Sequence, residues 1–387
     1  MHPEKFKSFH RSIREERICM KMLIYNDSII FGGHEIMTVE LAKYLSLLNV
    51  SLVFVVNEKN SRLIKLINER LEHNVDIIET KFNSEKFPTL KLPFEILKIY
   101  RLMSIMKDQS PDAIIVSQGS IELGLKGILS GMLIRAKVFS YLPYTEKISA
   151  TGGKFAVVRD FINSYIYRLI PNFILINEVF QKDLENNYNI KRDNVFVVEN
   201  LVDFKGLTKP ALLKKDSVQI QATLIGRFYL AQKGQDVAIK AIEILRKKNI
   251  NIKLLLVGEG PDKVKIENTI AISDAKDVIE IQSWSNNVKD IYDNSDLVLL
   301  PSRYEGIPLV LLESIYLKKK IVASSLSIFK HYLNSNCIFT TDSYEELADK
   351  IERLISCDNE SFYRKKPLPS LEKNMLVCRK IIHKVEG

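Results

Sequence analysis

The chain reads as an α/β protein made of two doubly wound parallel-sheet domains of similar size. Three observations predict this. Short β-branched runs alternate throughout with longer segments of helical period, as crossover helices between parallel strands require. The runs are continuously apolar rather than alternating, which suits strands covered on both faces. At 387 residues, 46% hydrophobic and 27% charged, the chain can fill two cores and has the balance of a globular protein.

The elements follow in order. Residues 1–19 precede the first natural strand and are expected to form a loosely ordered extension. They lack an apolar core, so no secretory signal is read there and a cytoplasmic location is expected. The first domain is expected over 20–203, with strands "KMLIYN", "SLVFVV", "VDIIET", "DAIIVS", "KVFSYL", "FILIN" and "VFVVE". A linker is expected over 204–216, within "LVDFKGLTKPALLKKDSVQ", which has a Pro, a Gly, several Lys and little periodicity. The second domain is expected over 217–365, with strands "ATLIGR", "KLLLVG", "VIEIQ", "DLVLLP", "KIVAS" and "CIFTT". Amphipathic segments such as "HEIMTVELAKYLSLLN" and "QDVAIKAIEILRKKN" supply the crossovers, and a closing helix is expected over 366–387. Two such domains would leave a cleft outside the carboxyl ends of their strands, where ligands of open α/β sheets bind.

Composition excludes several classes. No run approaches the ~18 apolar residues of a spanning helix. The four cysteines are widely separated and the six histidines form no pair at ligand spacing, so neither a zinc site nor a disulfide framework is expected. The net charge is +9, and residues 86–170 hold twelve Lys and Arg against six Asp and Glu. No nucleic-acid module accompanies that surplus, so phosphorylated ligands or an anionic membrane fit it better than nucleic acid.

"LLPSRYEGIPLVLLE" (299–313) places Glu305 before a Gly-Ile-Pro turn and Glu313 eight residues later, inside an apolar helix. Pro308 suits a first helical turn, leaving the N–H groups of Gly306, Ile307 and Leu309 for a phosphate. An unpartnered carboxylate at 313 would cost several kcal/mol; the vicinal hydroxyls of a ribose would relieve it, as would backbone or Lys318. "GRFYLAQKGQDVAIKA" sets Arg227 at a strand end and Lys233 before the next helix, a planar fork and a mobile point charge suited to a diphosphate. Taken singly, each could be a solvated loop charge.

Weaker signals flank these. "LLLVGEGPD" is a strand and Gly-rich turn at Gly258 without the third glycine of a dinucleotide fingerprint. Trp284 and Ser285 could border a nucleobase, or Trp284 could be a core or interface aromatic. Gly32 and Gly33, in "FGGHE", allow close backbone approach at a helix start, with His34 expected at the surface; a plain loop is the alternative.

Taken together, these motifs resemble the retaining GT-B glycosyltransferases of family 4. Glu305 and Glu313 match the E-x7-E motif, and "GRFYLAQKG", "LLLVGEGPD", "FGGHE" and "VVENLVD" resemble the family's other landmarks in order. The likeness covers about residues 20–345. It implies a GT-B fold and a UDP- or GDP-sugar donor, with no metal and no other cofactor. It implies that Arg227 and Lys233 neutralise the donor diphosphate, that Glu313 holds the ribose and that Glu305 meets the donor sugar. Gly226, Gly258, Trp284, Ser285 and the 306–309 turn would line the donor site, with Gly32 and Gly33 opposite.

Two departures stand out. Leu201 occupies a usual glycine position, and the loop "SYLPYTEK" (140–147) lacks the family's histidine. Either the acceptor side works differently or Tyr144 or Glu146 substitutes there, with His34 as a third acceptor-side candidate. The expected acceptor is a glycan or polyprenyl-diphosphate-linked glycan of bacterial surface polysaccharide assembly. Residues 88–108 and 152–170 mix apolar and basic side chains, which suits peripheral contact with the inner membrane's cytoplasmic face as well as ordinary packing. A nucleotide-sugar 2-epimerase and a non-catalytic sugar-nucleotide binder are the alternative classes.

Overall fold

The computed structural model describes residues 20–71, 75–83, 88–145, 147–151, 154–201, 219–284, 288–356 and 368–387. Its described residues fall into two compact units. One runs to Leu201 and takes back Pro369–Gly387; the other lies between. The expected extension over 1–19 and the linker over 204–216 lie outside the described residues.

In the first unit β1 (Lys21–Asn26), β2 (Ser51–Asn57), β3 (Val75–Thr80), β4 (Ala113–Ser117), β5 (Lys137–Leu142), β6 (Asn172–Leu175) and β7 (Val195–Val197) form one sheet. Its order is β3-β2-β1-β4-β5-β6-β7 and every pairing is parallel. Side chains 52–56 of β2 are all buried, as expected of a strand with helices over both faces. Each such Leu, Val or Phe stabilises the fold by about 1.5–3 kcal/mol.

The second unit repeats the plan. β8 (Ile220–Ile225), β9 (Ile252–Val257), β10 (Ile279–Gln282), β11 (Leu297–Leu300), β12 (Lys320–Ser324) and β13 (Ile338–Phe339) pair in parallel as β10-β9-β8-β11-β12-β13. In both sheets the order reverses beside the first strand. The switch points are therefore β1/β4 and β8/β11, and the loops after those strands diverge to leave a crevice at their carboxyl ends.

The last helix, Leu371–Glu386, belongs to the first unit, where it packs on the Gly33–Leu47 helix and β7. Asn374, fully buried, explains its seating. Its Oδ1 accepts from Glu199 N (3.0 Å) and its Nδ2 donates to Glu199 O (2.7 Å), so one side chain continues the backbone pattern beyond β7. Among the described residues no helix is long and apolar enough to cross a membrane.

Candidate functional site

The β8/β11 switch point gathers the charged residues singled out above. β8 ends at Ile225 and β11 at Leu300, so Gly226–Lys233 and Pro301–Gly306 leave neighbouring strands from the same edge. Lys233 and Glu305, 72 residues apart in sequence, form an ion pair through Nζ and Oε1. The Ser302 hydroxyl donates to the same Oε1 (3.0 Å), and side-chain exposures of 18% and 8% for Lys233 and Glu305 leave the ammonium the more accessible partner. Gly226 lies beneath that lysine: a Cβ there would come within 3.3 Å of the Lys233 Cε.

Backbone geometry fixes these loops. Gly234 has φ +64°, and a Cβ on it would stand 2.2 Å from the Pro301 carbonyl oxygen. Gly258, at φ +152°, would put a Cβ 2.0 Å from the Gly226 oxygen. Both positions demand glycine for conformation and for space. Arg303, which the sequence left unassigned, clamps the two loops. Its guanidinium donates to Leu230 O and to both Asp236 oxygens (3.1 and 2.8 Å) and meets Asp342 (2.6 Å), while its N–H donates to Gln232 O (2.7 Å). No spacing pattern marks such a residue; it is visible only once the loops adjoin.

Glu313 lies in the Leu309–Tyr316 helix, half-buried. Its partner is neither backbone nor Lys318: the Tyr292 hydroxyl donates to Oε2 at 2.6 Å. Burial raises the Glu313 pKa above the carboxylate range, with the Tyr292 bond opposing the rise. Pro308 is the N-cap of this helix and Leu309 its first residue, with no side chain capping it. The leading N–H groups of a helix have no intrahelical acceptor, so this mouth is suited to an anion. Arg227 is exposed just past β8, its carbonyl accepting from Gln235 Nε2 at 2.8 Å. Trp284 is exposed after β10, so the core reading of it does not hold; Ser285 lies outside the described residues.

The first unit bears on two expectations and corrects one of them, the surface placement of His34. At the Gly32-Gly33 helix start, Glu35 is buried and its carboxylate turns back onto the N–H groups of Gly32 and Glu35. An anion arriving there would have to displace that carboxylate. His34 is not a surface residue: it is half-buried against the Tyr141 ring, at 4.9 Å between centroids, with Nε2 3.0 Å from Ser117 Oγ. Burial lowers its pKa from 6.5 to about 3. Tyr144 lies half-buried in the loop after β5, and Glu146 lies outside the described residues.

The depressed histidine has a consequence for stability. Below pH 6.5 the unfolded chain binds a proton that the folded His34 refuses, so stability falls as pH drops from about 6.5 toward 3. Between pH 7 and 5 wild type should lose about 2 kcal/mol relative to His34→Gln, somewhat less given the exposed part of the ring. Urea denaturation of both proteins at the two pH values measures the difference; parallel losses would count against it.

A second buried cluster was not read from the sequence. It lies at the β1/β4 switch point. Asp27, fully buried, accepts from Tyr25 OH (2.9 Å) and Gln118 Nε2 (2.5 Å) and faces Lys126 Nζ at 3.5 Å. Lys126 also reaches Glu95 (3.4 Å) and the Asn83 carbonyl. Glu122 takes a hydrogen bond from Thr89 and the fork of Arg159. Their signal in the sequence is nil, because each charge looks like a solvated one until its partners are known.

Residues 209–366 match the family model described as glycosyl transferases group 1. The likeness to that family is one of this segment, 158 of the 387 residues. The chain's relatives include an uncharacterized glycosyltransferase of Haemophilus influenzae, 24% identical over 69% of this chain and 74% of that one. The amylovoran biosynthesis glycosyltransferase AmsD of Erwinia amylovora is 26% identical over 62% and 70%. Among solved structures, Anabaena Alr3699/HepE in complex with UDP superposes with a TM-score of 0.68 at 16% identity, over 95% of this chain and 100% of that one. Staphylococcus aureus TarM gives 0.65 at 14% identity, over 95% and 96%. Two parallel-sheet units and these likenesses make the fold GT-B. The Lys233–Glu305 pair, Ser302, the Tyr292–Glu313 pair and the uncapped Leu309 helix all fall within the matched segment.

Proposed function

We propose that this transferase moves a hexose-type sugar, with retention and without a metal, from a UDP- or GDP-sugar to a glycan or lipid-linked glycan in bacterial surface polysaccharide assembly. The observation that carries the reading is the ion pair of Lys233 and Glu305 beside the uncapped helix mouth at Pro308–Leu309. A donor diphosphate seated on that mouth competes with Glu305 for the Lys233 ammonium. As the glycosidic bond lengthens, negative charge grows on the leaving phosphate, and Lys233 and Arg227 hold more of it in the transition state than in the ground state. That difference is what accelerates transfer. Glu305, released from the lysine, keeps the Ser302 bond and is placed to accept from a donor-sugar hydroxyl. Glu313 accepts from the ribose, with Tyr292 fixing its second oxygen.

The relatives supply the finer support. One is named for a GalNAc-containing diNAcBac-PP-undecaprenol acceptor in Campylobacter jejuni, and one for amylovoran biosynthesis. HepE is known in complex with UDP and glucose. Names specifying alpha-linked transfer, to poly(ribitol-phosphate) and to the undecaprenol-linked glycan, favour retention from α-configured donors. Incubation with UDP- and GDP-sugars and measurement of slow nucleoside diphosphate release tests the reading. Release with one donor class is expected; isomerised sugar in place of release would indicate an epimerase, and binding without release a non-catalytic protein.

A further inference from the structure

The first unit carries helices whose patterning is inverted. In the Ala156–Leu169 helix the buried side is Asn163, Ile166 and Tyr167, while Val157, Val158, Phe161, Tyr165 and Leu169 are 52–81% exposed. Those exposed positions recur at three- and four-residue steps, so they form one stripe along the helix. A second stripe adjoins it. Phe94 at 85%, Leu97 at 75% and Tyr100 at 54% exposed stand out from the turn and helix spanning 92–108. The short Pro88–Lys91 helix that leads into this stripe packs against Ala156–Leu169. The Glu122 carboxylate ties the two together, because Thr89 donates to it from one and Arg159 from the other.

Charge sorts the same way. Lys91, Arg101, Lys107, Lys154 and Arg168 are exposed around the stripes. The acidic groups turn inward: Glu95 is held by Lys98 and Lys126, Glu122 by Arg159, and Asp160 accepts from the N–H groups of Ile148 and Ser149. Asp108 and Asp112, at and just beyond the far end of the 96–108 helix, are the exposed exceptions among the described residues there. Contiguous apolar patches of this kind mark interaction sites, and a basic rim selects an anionic partner with a soft apolar interior.

We infer that this face seats on an anionic lipid bilayer, with Phe94, Leu97 and Phe161 entering the acyl boundary and the basic rim meeting lipid phosphates. The surface stands on its own observations; its use in drawing an acceptor from the bilayer rests on the functional reading above. Each exposed Lys or Arg near an anionic surface strengthens binding about fivefold, the equivalent of roughly 1 kcal/mol.

Flotation of the full chain with phosphatidylcholine vesicles, with and without phosphatidylglycerol, tests the inference. The protein should float with the anionic vesicles, bind them less as salt rises, and bind neutral vesicles weakly. Phe94→Ser combined with Phe161→Ser should weaken binding at least about tenfold, while nucleoside diphosphate release in solution stays at the wild-type rate, since neither residue is among the groups assigned to the donor. No flotation, equal flotation of the variant, or a wild-type dimer in sedimentation that the variant abolishes would overturn it, the last by assigning the face to a second copy. Release measured in parallel separates failure of docking from failure of the transferase reading.

Discussion

Lys233→Ala is expected to lower nucleoside diphosphate release from a UDP- or GDP-sugar by about 100- to 1,000-fold, the usual cost of deleting one preorganised electrostatic group. The ammonium lies against the Glu305 carboxylate and beside the β8 carboxyl end, where Gly226 leaves it room. Alanine removes the charge that follows the departing phosphate, and it leaves Glu305, poorly exposed, with Ser302 as its remaining donor. The variant therefore loses rate more than it loses donor affinity. Lys233→Arg should restore little, because a planar fork does not fit a site shaped for a compact head. Release rates for the three proteins, with donor affinity measured separately, decide the matter. A wild-type rate in Lys233→Ala would end the assignment of this site.

Lys126→Met is expected to cost about 3–5 kcal/mol of stability, as does removing one partner from a buried ion pair. Asp27 is fully buried, and Lys126 is the cation facing it. Methionine fills the volume but removes the charge that faces the carboxylate, which keeps its Tyr25 and Gln118 bonds. Adding Asp27→Asn should recover part of the loss at pH 7, since the amide needs no counter-charge. Denaturant midpoints of the wild type and of the single and double variants at pH 7 give the test; a deficit that Asp27→Asn does nothing to reduce would contradict it.

The two clusters differ in how far the sequence revealed them. Glu313 was legible because a carboxylate inside an apolar helix violates local pattern, and Glu305, Arg227 and Lys233 because with it they resemble a known set of motifs in order. Asp27, Glu95, Glu122 and Lys126 do neither, since single charges near strand ends are ordinary. Their burial depends on helices from distant parts of the chain closing over them. Tyr292 gave no signal for the same reason: its hydroxyl matters only because Glu313, 21 residues on, lies beside it.

The strands were set by local composition. A run such as Leu52–Val56 has no polar face to offer water, so it must lie in a sheet covered on both sides, wherever that sheet is. Which strands adjoin is another matter, because pairing order is a property of the whole sheet. Placing β8 beside β11 is what brings Lys233 within reach of Glu305 across 72 residues, and β1 beside β4 is what puts Asp27 near Gln118 and Ser117 near His34. Local sequence fixed the kind of side chain available. Tertiary packing decided which charges lost their water, and desolvation is what makes a partner necessary.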